Sequence, residues 1–456
     1  MDGSLASAEV PQPSNRPLDR LADAPEEPRE GSAGADRDWL RSLVTQLAIV
    51  VLSVGAVNAV RPIVTYRALD LGAGPFEIGL VQSAFSILPA ATAVAIGRLV
   101  DRRGEARFLA GAMAVLAVAS LVTATADSLP VLAAAMTLLG LGQITSHVAG
   151  QTMIANRGPR EQRELRYGWY ATCASLGQLV GPAVAALVLG SSIAAGVAEP
   201  GRSSVDARAV IGSTGNPQAP VFLVGAGMAA AAFVLALTIP HRRPRSRPTS
   251  EVEASVGLAR AAWLVVRRPG MATAMLVSIT VLSSVDVLVA YLPAYGEAVG
   301  LSVETVGLLL SVRAGASLAS RLLMGVLIDR LGRERLLATS MILAALGVGA
   351  LILVPPTPIL VALMIAAGLG LGLGQPMTIA WVANRSPRRE RALALGVRLT
   401  GNRASLLVVP TAVGALAGAT GLTSIWLVVA GFLALGAIAA LRTPFDAVVD
   451  RRAAAE

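Results

Sequence analysis

Two stretches, Gly97-Arg-Leu-Val-Asp101-Arg102-Arg103-Gly104 and Gly325-Val-Leu-Ile-Asp329-Arg330-Leu-Gly332, decide how the chain is read. Each ends an apolar run with a glycine, then Asp-Arg, then a second glycine. The shift that carries Gly97 onto Gly325 brings more identities into register. Gly72 falls on Gly300 and Gly79 on Gly307. Gly140 and Gly142 fall on Gly368 and Gly370, ANRGPR (155–160) on ANRSPR (383–388), Gly168 on Gly396 and Pro182 on Pro410. One gap-free shift of that extent marks an internal duplication, which has to be sought before any local motif. Register is lost only after the fifth apolar segment, where the loop at 191–219 is longer than its counterpart at 418–421.

The duplicated unit is a set of apolar segments, at about 42–66, 75–97, 108–126, 130–153, 165–190 and 220–239. The second set lies at about 271–293, 303–328, 336–355, 358–383, 393–417 and 421–441. A run of roughly 20 apolar residues crosses the ~30 Å hydrocarbon core of a bilayer as a helix. Composition agrees: 54% of residues are hydrophobic and 15% charged, against roughly 25% charged in soluble domains. The charges gather between the segments instead of running along one face of each helix. The expected fold class is an all-α integral membrane protein with about twelve transmembrane helices in two parallel six-helix repeats. Their axis of relation then runs along the membrane normal. The expected layout is a disordered tail (1–40), one bundle (41–240), a linker (241–268), a second bundle (269–442) and a short tail (443–456). Residues 1–40 have no apolar core of the kind a signal peptide requires.

The sequence contains no lysine, so its 38 basic residues are arginines. They sit in alternate loops, as Arg98, Arg102, Arg103 and Arg107, then Arg157, Arg160, Arg163 and Arg166, then the linker. Arg330, Arg333 and Arg335 follow, then Arg385, Arg388, Arg389 and Arg391. Opposite loops hold Arg67, Arg202 and Arg208. By the positive-inside rule the arginine-rich loops are cytoplasmic, which places both termini inside a plasma (inner) membrane. This placement also argues against nucleic acid as the partner of the +9 net charge. The single cysteine, Cys173, excludes an intramolecular disulfide. Two histidines exclude a histidine-rich metal cluster, and no metal or other cofactor is expected.

The paired Gly-Asp-Arg-Gly stretches, at the repeat distance among twelve segments, resemble the loop signature of the major facilitator superfamily. The resemblance covers nearly all of residues 40–442. It implies a secondary transporter in which Gly97, Asp101, Arg102, Gly104, Gly325, Asp329, Arg330 and Gly332 form a conformational latch for the outward-open state. Read as residues alone, Gly97 and Gly325 let a helix end approach a neighbouring backbone, and the aspartates can pair with arginine or a helix N-terminus. Gly177-Gln-Leu-Val-Gly181-Pro182 in the fifth segment is similar to the signature of the superfamily's drug and metabolite antiporters. The match is incomplete, since Ala185 and Ala186 stand where that pattern has a glycine pair, and the fourth segment has no arginine. Small-residue packing with a proline kink is the other reading of this stretch.

Ionisable residues inside spans are costly and therefore functional candidates. They are Arg61 in the first segment, Asp286 in the seventh, Arg313 and Arg321 in the eighth, and Arg398 and Arg403 in the eleventh. Depth along the helices suggests that Asp286 pairs with Arg313, either as a pair broken during transport or as a static bridge. Arg321, close to Gly325, is expected to brace the loop. In the fourth segment Gln143, Ser146, His147, Gly150 and Gln151 share one helical face. His147 there is either a titrating group or a neutral hydrogen-bonded one. The resemblance places the first, fourth, seventh and tenth segments around a central cavity, which adds Asn58, Gln375 and Trp381. The excess of arginine over carboxylate favours an anionic substrate if those arginines face the cavity.

With no phosphate-binding loop in the sequence, the expected activity is secondary transport of a small molecule by alternating access. Proton-coupled efflux of a drug or metabolite by a monomer in the lipid bilayer leads this reading. The alternatives are an uptake symporter or facilitator, and more remotely a membrane sensor or embedded enzyme. No catalytic constellation is visible: no nucleophile stands with its base.

Overall fold

Inside a bilayer every backbone N–H and C=O must find a partner within the protein, and an apolar run of spanning length does so as a helix. The computed structural model describes residues 32–157, 163–197, 216–240, 263–386 and 391–443, and the described segments follow this rule throughout. Helix α1 is Ser32–Asp70, and α2 is Pro75–Ala84 continued after a short break as Ile87–Arg103. Then come α3 (Glu105–Thr125), α4 (Leu129–Asn156), α5 (Arg163–Val197) and α6 (Ala219–Leu237). The second set opens with α7 (Met271–Ala298) and with α8, which is Val303–Leu322 joined at a 61° bend to Met324–Leu331. It closes with α9 (Arg333–Gly349), α10 (Thr357–Asn384), α11 (Arg391–Thr420) and α12 (Ser424–Arg442). Eleven of these helices are long and apolar enough to cross a membrane, and the bent α8 makes twelve. The chain is a multi-pass membrane protein.

One boundary differs from expectation. The tail expected over 1–40 is helical from Ser32, while the apolar span starts at Leu40. The helix therefore projects about two turns beyond its membrane-crossing part, since the hydrogen-bond ladder can continue through polar residues once nucleated. Residues 1–31, most of the linker at 241–262 and the tail from 444 lie outside the described residues.

The duplication is visible atom by atom. A Cβ on Gly140 would fall on the carbonyl of Phe85, and one on Gly368 would fall on the carbonyl of Arg313. The offset that relates Gly140 to Gly368 also relates Phe85 to Arg313. Gly142 packs on Ala112 and Leu116, and Gly370 packs on their equivalents Ser340 and Ala344. Without a hydrophobic drive between helices in lipid, such backbone contact through small residues is what holds spans together. Gly104 and Gly332 both take a positive φ, 95° and 73°. That conformation is strained for other residues and makes each loop turn the same way.

The same correspondence relates the halves to each other. Gly79 of α2 packs on the Pro410 carbonyl of α11, and Gly307 of α8 packs on the Pro182 carbonyl of α5. Contacts that exchange in this way are the mark of a twofold relation. It makes α2–α11 and α5–α8 the two seams between the halves. At the end away from the arginine-rich loops the seams are tight. Gly414 meets Pro75 and Tyr291, and Gly190 meets Glu304. At the arginine-rich end, a Cβ on Gly97, Gly168, Gly325 or Gly396 would meet nothing within 4 Å. The close approach expected at Gly97 and Gly325 is thus not made in this conformation. The halves touch at one end and stand apart at the other.

Large apolar side chains such as Leu187, Leu346 and Leu353 are more than 60% exposed. Patches of this kind would aggregate in water and suit contact with lipid chains.

Replacing Gly368 with alanine should force α10 away from the Arg313 carbonyl and cost about 1–3 kcal/mol of overpacking strain. The Gly111→Ala variant, with open space around the site, should be neutral. Thermal unfolding in detergent measures both, and equal midpoints would show that the glycine contact holds nothing together.

Candidate functional site

Two charged residues of the spans, Arg61 and Asp286, meet between the halves. Arg61 sits on α1 one residue before Pro62, and Pro62 removes a backbone hydrogen bond at that turn. Arg61 Nη1 lies 2.7 Å from Asp286 Oδ1 of α7, with 11% and 6% of the two side chains exposed. Its Nη2 donates to Gln82 Oε1 at 3.2 Å, and its guanidinium lies 4.4 Å from the centre of the Phe85 ring. Gln82 Nε2 donates in turn to the Arg61 carbonyl and to Thr65 Oγ1. A buried ion pair is stable only when further hydrogen bonds and short geometry offset the lost hydration. Gln82 and Phe85 supply that support here.

Asp286 therefore pairs with Arg61, and the expected Asp286–Arg313 pair is not formed. Depth along a helix was the basis of that expectation, but facing decides pairing. Helices α1 and α7 meet across the axis, whereas Arg313 lies where α8 packs on α10 through Gly368. Arg313 is 3% exposed and makes no salt bridge among the described residues.

Around the ion pair the far ends of the halves are stitched together. Thr65 Oγ1 donates to the Ala290 carbonyl at 2.8 Å. Tyr291 OH lies 3.0 Å from the Pro75 carbonyl and 2.7 Å from that of Pro410. Ser83 and Thr411 share a hydrogen bond of 2.9 Å.

Further toward the arginine-rich end two more networks appear. His147 Nε2 lies 2.8 Å from Gln143 Nε2, and His147 Nδ1 lies 3.2 Å from Tyr170 OH on α5. Both ring nitrogens thus meet uncharged partners, in keeping with the neutral, interhelical reading. In the second half Arg398 Nη2 donates to Gln375 Oε1 at 2.6 Å and to Thr378 Oγ1 at 3.0 Å. Gln375 donates on to the Ser278 carbonyl, and Ser278 to Asn402. These networks occupy equivalent places, because the repeat offset carries His147 onto Gln375 and Tyr170 onto Arg398. The same step relates Asn58 to Asp286. The duplication fixed the positions, and divergence changed the chemistry at each.

The remaining candidates fall in several places. Asn58 donates to the Val54 carbonyl of its own helix. Gln151 is exposed near the arginine-rich end. Trp381 is 1% exposed and so buried in packing instead of forming the cavity wall. Arg321 donates to the Gly372 carbonyl and to Ser175 Oγ of α5, bridging the halves as well as bracing α8. Arg403 of α11 lies within Coulombic reach of Asp286, Arg61 and His147. Gly177 and Gly181 press on α1 at Val51 and Gly55, which is a packing role, and Pro182 lies inside α5. Asp329 of the latch is exposed, and the Asp101 side chain is outside the described residues. No group of His, Cys, Asp and Glu among the described residues could hold a metal ion.

Sequence reading passed over Gln82, Tyr170, Thr65 and Tyr291. The repeat offset could have found Tyr170 as the counterpart of Arg398, whereas nothing local marks Gln82.

The Major Facilitator Superfamily profile matches residues 47–305 and 286–455. The chain belongs to the Major Facilitator Superfamily. It is a transporter, not an enzyme, and its general activity is secondary transport. The multi-drug resistance efflux pump PmrA of Streptococcus pneumoniae is 29% identical over 160 residues. That match spans 34% of this chain and 40% of the pump. Among solved structures, a mutant of the nucleoside transporter NupG has a TM-score of 0.70 at 15% identity, covering 88% of this chain and 99% of NupG. A bacterial homologue of the human lysosomal transporter Spinster, in an inward-facing and occupied conformation, has a TM-score of 0.68 at 16% identity, covering 88% and 96%. These two likenesses are of fold.

Since Cys173 is the only cysteine, a Ser83→Cys/Thr411→Cys pair in a Cys173→Ser chain reports closure of the far end by cross-linking. Arg61→Gln and Asp286→Asn should each lower the cross-linking yield, with about 3–5 kcal/mol at stake when one partner of a buried pair is removed. The double variant should lose less than the two single losses combined. Strict additivity would reject the pair.

Proposed function

We propose that this transporter exports a small drug or metabolite in exchange for protons, by alternating access. The units 41–240 and 269–442 rock against each other, and the 241–268 segment links them. The observation that carries the reading is the Arg61–Asp286 ion pair, a charge contact between the two moving halves. A proton arriving on Asp286 would leave Arg61 without its counter-charge and loosen the closed end. Proton binding and opening would then be one event.

The positive-inside rule supports placing the arginine-rich end, and both termini, in the cytoplasm of a plasma-membrane protein. On that placement the conformation is inward-facing, with the substrate path open to the cytoplasm. In the opposite state the arginine-rich ends would come together. The stretches Gly97–Gly104 and Gly325–Gly332 would then act as the latch, Asp101 and Asp329 pairing across or beside the seam. The partial likeness to PmrA, an efflux pump by name, favours export as the direction.

Proteoliposomes with an acidic interior should accumulate the substrate from a panel of labelled drugs and metabolites, and nigericin should abolish the accumulation. In the Asp286→Asn variant transport should no longer follow the imposed pH gradient. Flux that ignores the gradient in the wild type would exclude proton exchange.

The latch makes a separate prediction. Asp101→Asn should cut flux by roughly tenfold or more, the scale of one lost charge-assisted hydrogen bond, with expression unchanged. Flux equal to wild type would remove the latch role.

A further inference from the structure

The centre of the protein holds more positive charge than it neutralises. Arg61 and Arg403 lie within reach of one carboxylate, Asp286, whose Oδ1 is held by Arg61 while its Oδ2 is buried without a hydrogen-bond partner among the described residues. Arg403 is half-buried, yet it forms no salt bridge and donates no hydrogen bond among the described residues. Its Nε is fully shielded from solvent and has no partner, and the same holds for Arg61 Nε.

A guanidinium presents five N–H donors in a planar fork suited to two carboxylate oxygens. Leaving such donors buried and empty is costly. The chain does supply acceptors elsewhere: Arg398, whose Nε is likewise unpartnered, is met at Nη2 by Gln375 Oε1 and Thr378 Oγ1. Arg403 is the exception near the axis. Arg313 also lacks an ion pair, but its charged neighbour is Arg321, on its own helix. Arg403 instead stands among α1, α4 and α7 through its reach to Arg61, His147 and Asp286. That is the region between the halves where α1 meets α7.

We propose that Arg403 and Arg61 form the binding site for the carboxylate of an organic monoanion, which is the head group of the transported substrate. One negative charge brings the Arg61–Asp286–Arg403 cluster to neutrality. This makes a loaded, occluded protein cheaper to form than an empty one. The inference rests on the transport reading and narrows its substrate class. It needs neither a direction of transport nor a coupling ion.

The test is equilibrium binding to the full-length protein in detergent, without any gradient, so it stands apart from the flux assay. The probes are benzoate, its uncharged isostere benzamide, and chloride, each followed by thermal stabilisation. Benzoate should stabilise the wild type and benzamide should not. Arg403→Gln should weaken benzoate by roughly tenfold or more, the scale of a charge-assisted hydrogen bond. Arg403→Lys, which keeps the charge and loses the fork, should fall between. Arg98→Gln, at an exposed position, controls for net charge and should bind as wild type.

Three results would overturn the proposal: equal stabilisation by benzamide, equal stabilisation by chloride, or no stabilisation by benzoate. A fourth would too. Arg403→Gln could change Ser83→Cys/Thr411→Cys cross-linking with no probe present while leaving benzoate binding intact. Arg403 would then be an exchange partner for Asp286 and not a substrate ligand.

Discussion

One carboxylate shared by two halves of the same protein organises the centre of this transporter. Asp286 carries its charge where hydration is scarce, and Arg61 answers it from the opposite half. Charges buried in this way must be paired or they destabilise the fold. The pair therefore acts on the relation between the halves more than on either half alone. The surrounding contacts follow from it: Gln82 braces Arg61, Thr65 reaches the α7 backbone, and Tyr291 ties α7 to both Pro75 and Pro410.

That centre sits on a scaffold that works by close backbone contact. Within each half, glycines let neighbouring helices touch, and the same glycines recur at the repeat distance. Between the halves, the reciprocal Gly79–Pro410 and Gly307–Pro182 contacts give two equivalent seams. Packing of this type is stiff within a half, while between the halves the hydrogen bonds of Thr65, Ser83, Tyr291 and Arg321 and the Arg61–Asp286 pair hold the contact. Rocking about the axis is the motion that such a construction allows.

The duplication also shows where the two halves diverged. His147 with Tyr170, and Gln375 with Arg398, are hydrogen-bonded pairs at equivalent positions with different chemistry. Asn58 and Asp286 differ by one isosteric exchange at equivalent positions, yet only the second carries charge. Structural glycines and prolines were kept in both copies, while the groups near the axis diverged. A symmetric frame thereby encloses an asymmetric, net positive centre.

The sequence by itself determined the spans, the duplication and the charge asymmetry of the loops. Each of these is a pattern along the chain: apolar run length, one fixed offset that carries Gly97 onto Gly325, and arginine placement. Only the tertiary structure decided which arginine answers Asp286, that Gly97 and Gly325 stand free in this conformation, and that Trp381 is packed away. The physical reason is that pairing depends on which helix faces cross the axis. Depth along a helix can be counted from the sequence, but the rotation of α1 against α7, and of α8 against α10, is set by packing among all the spans.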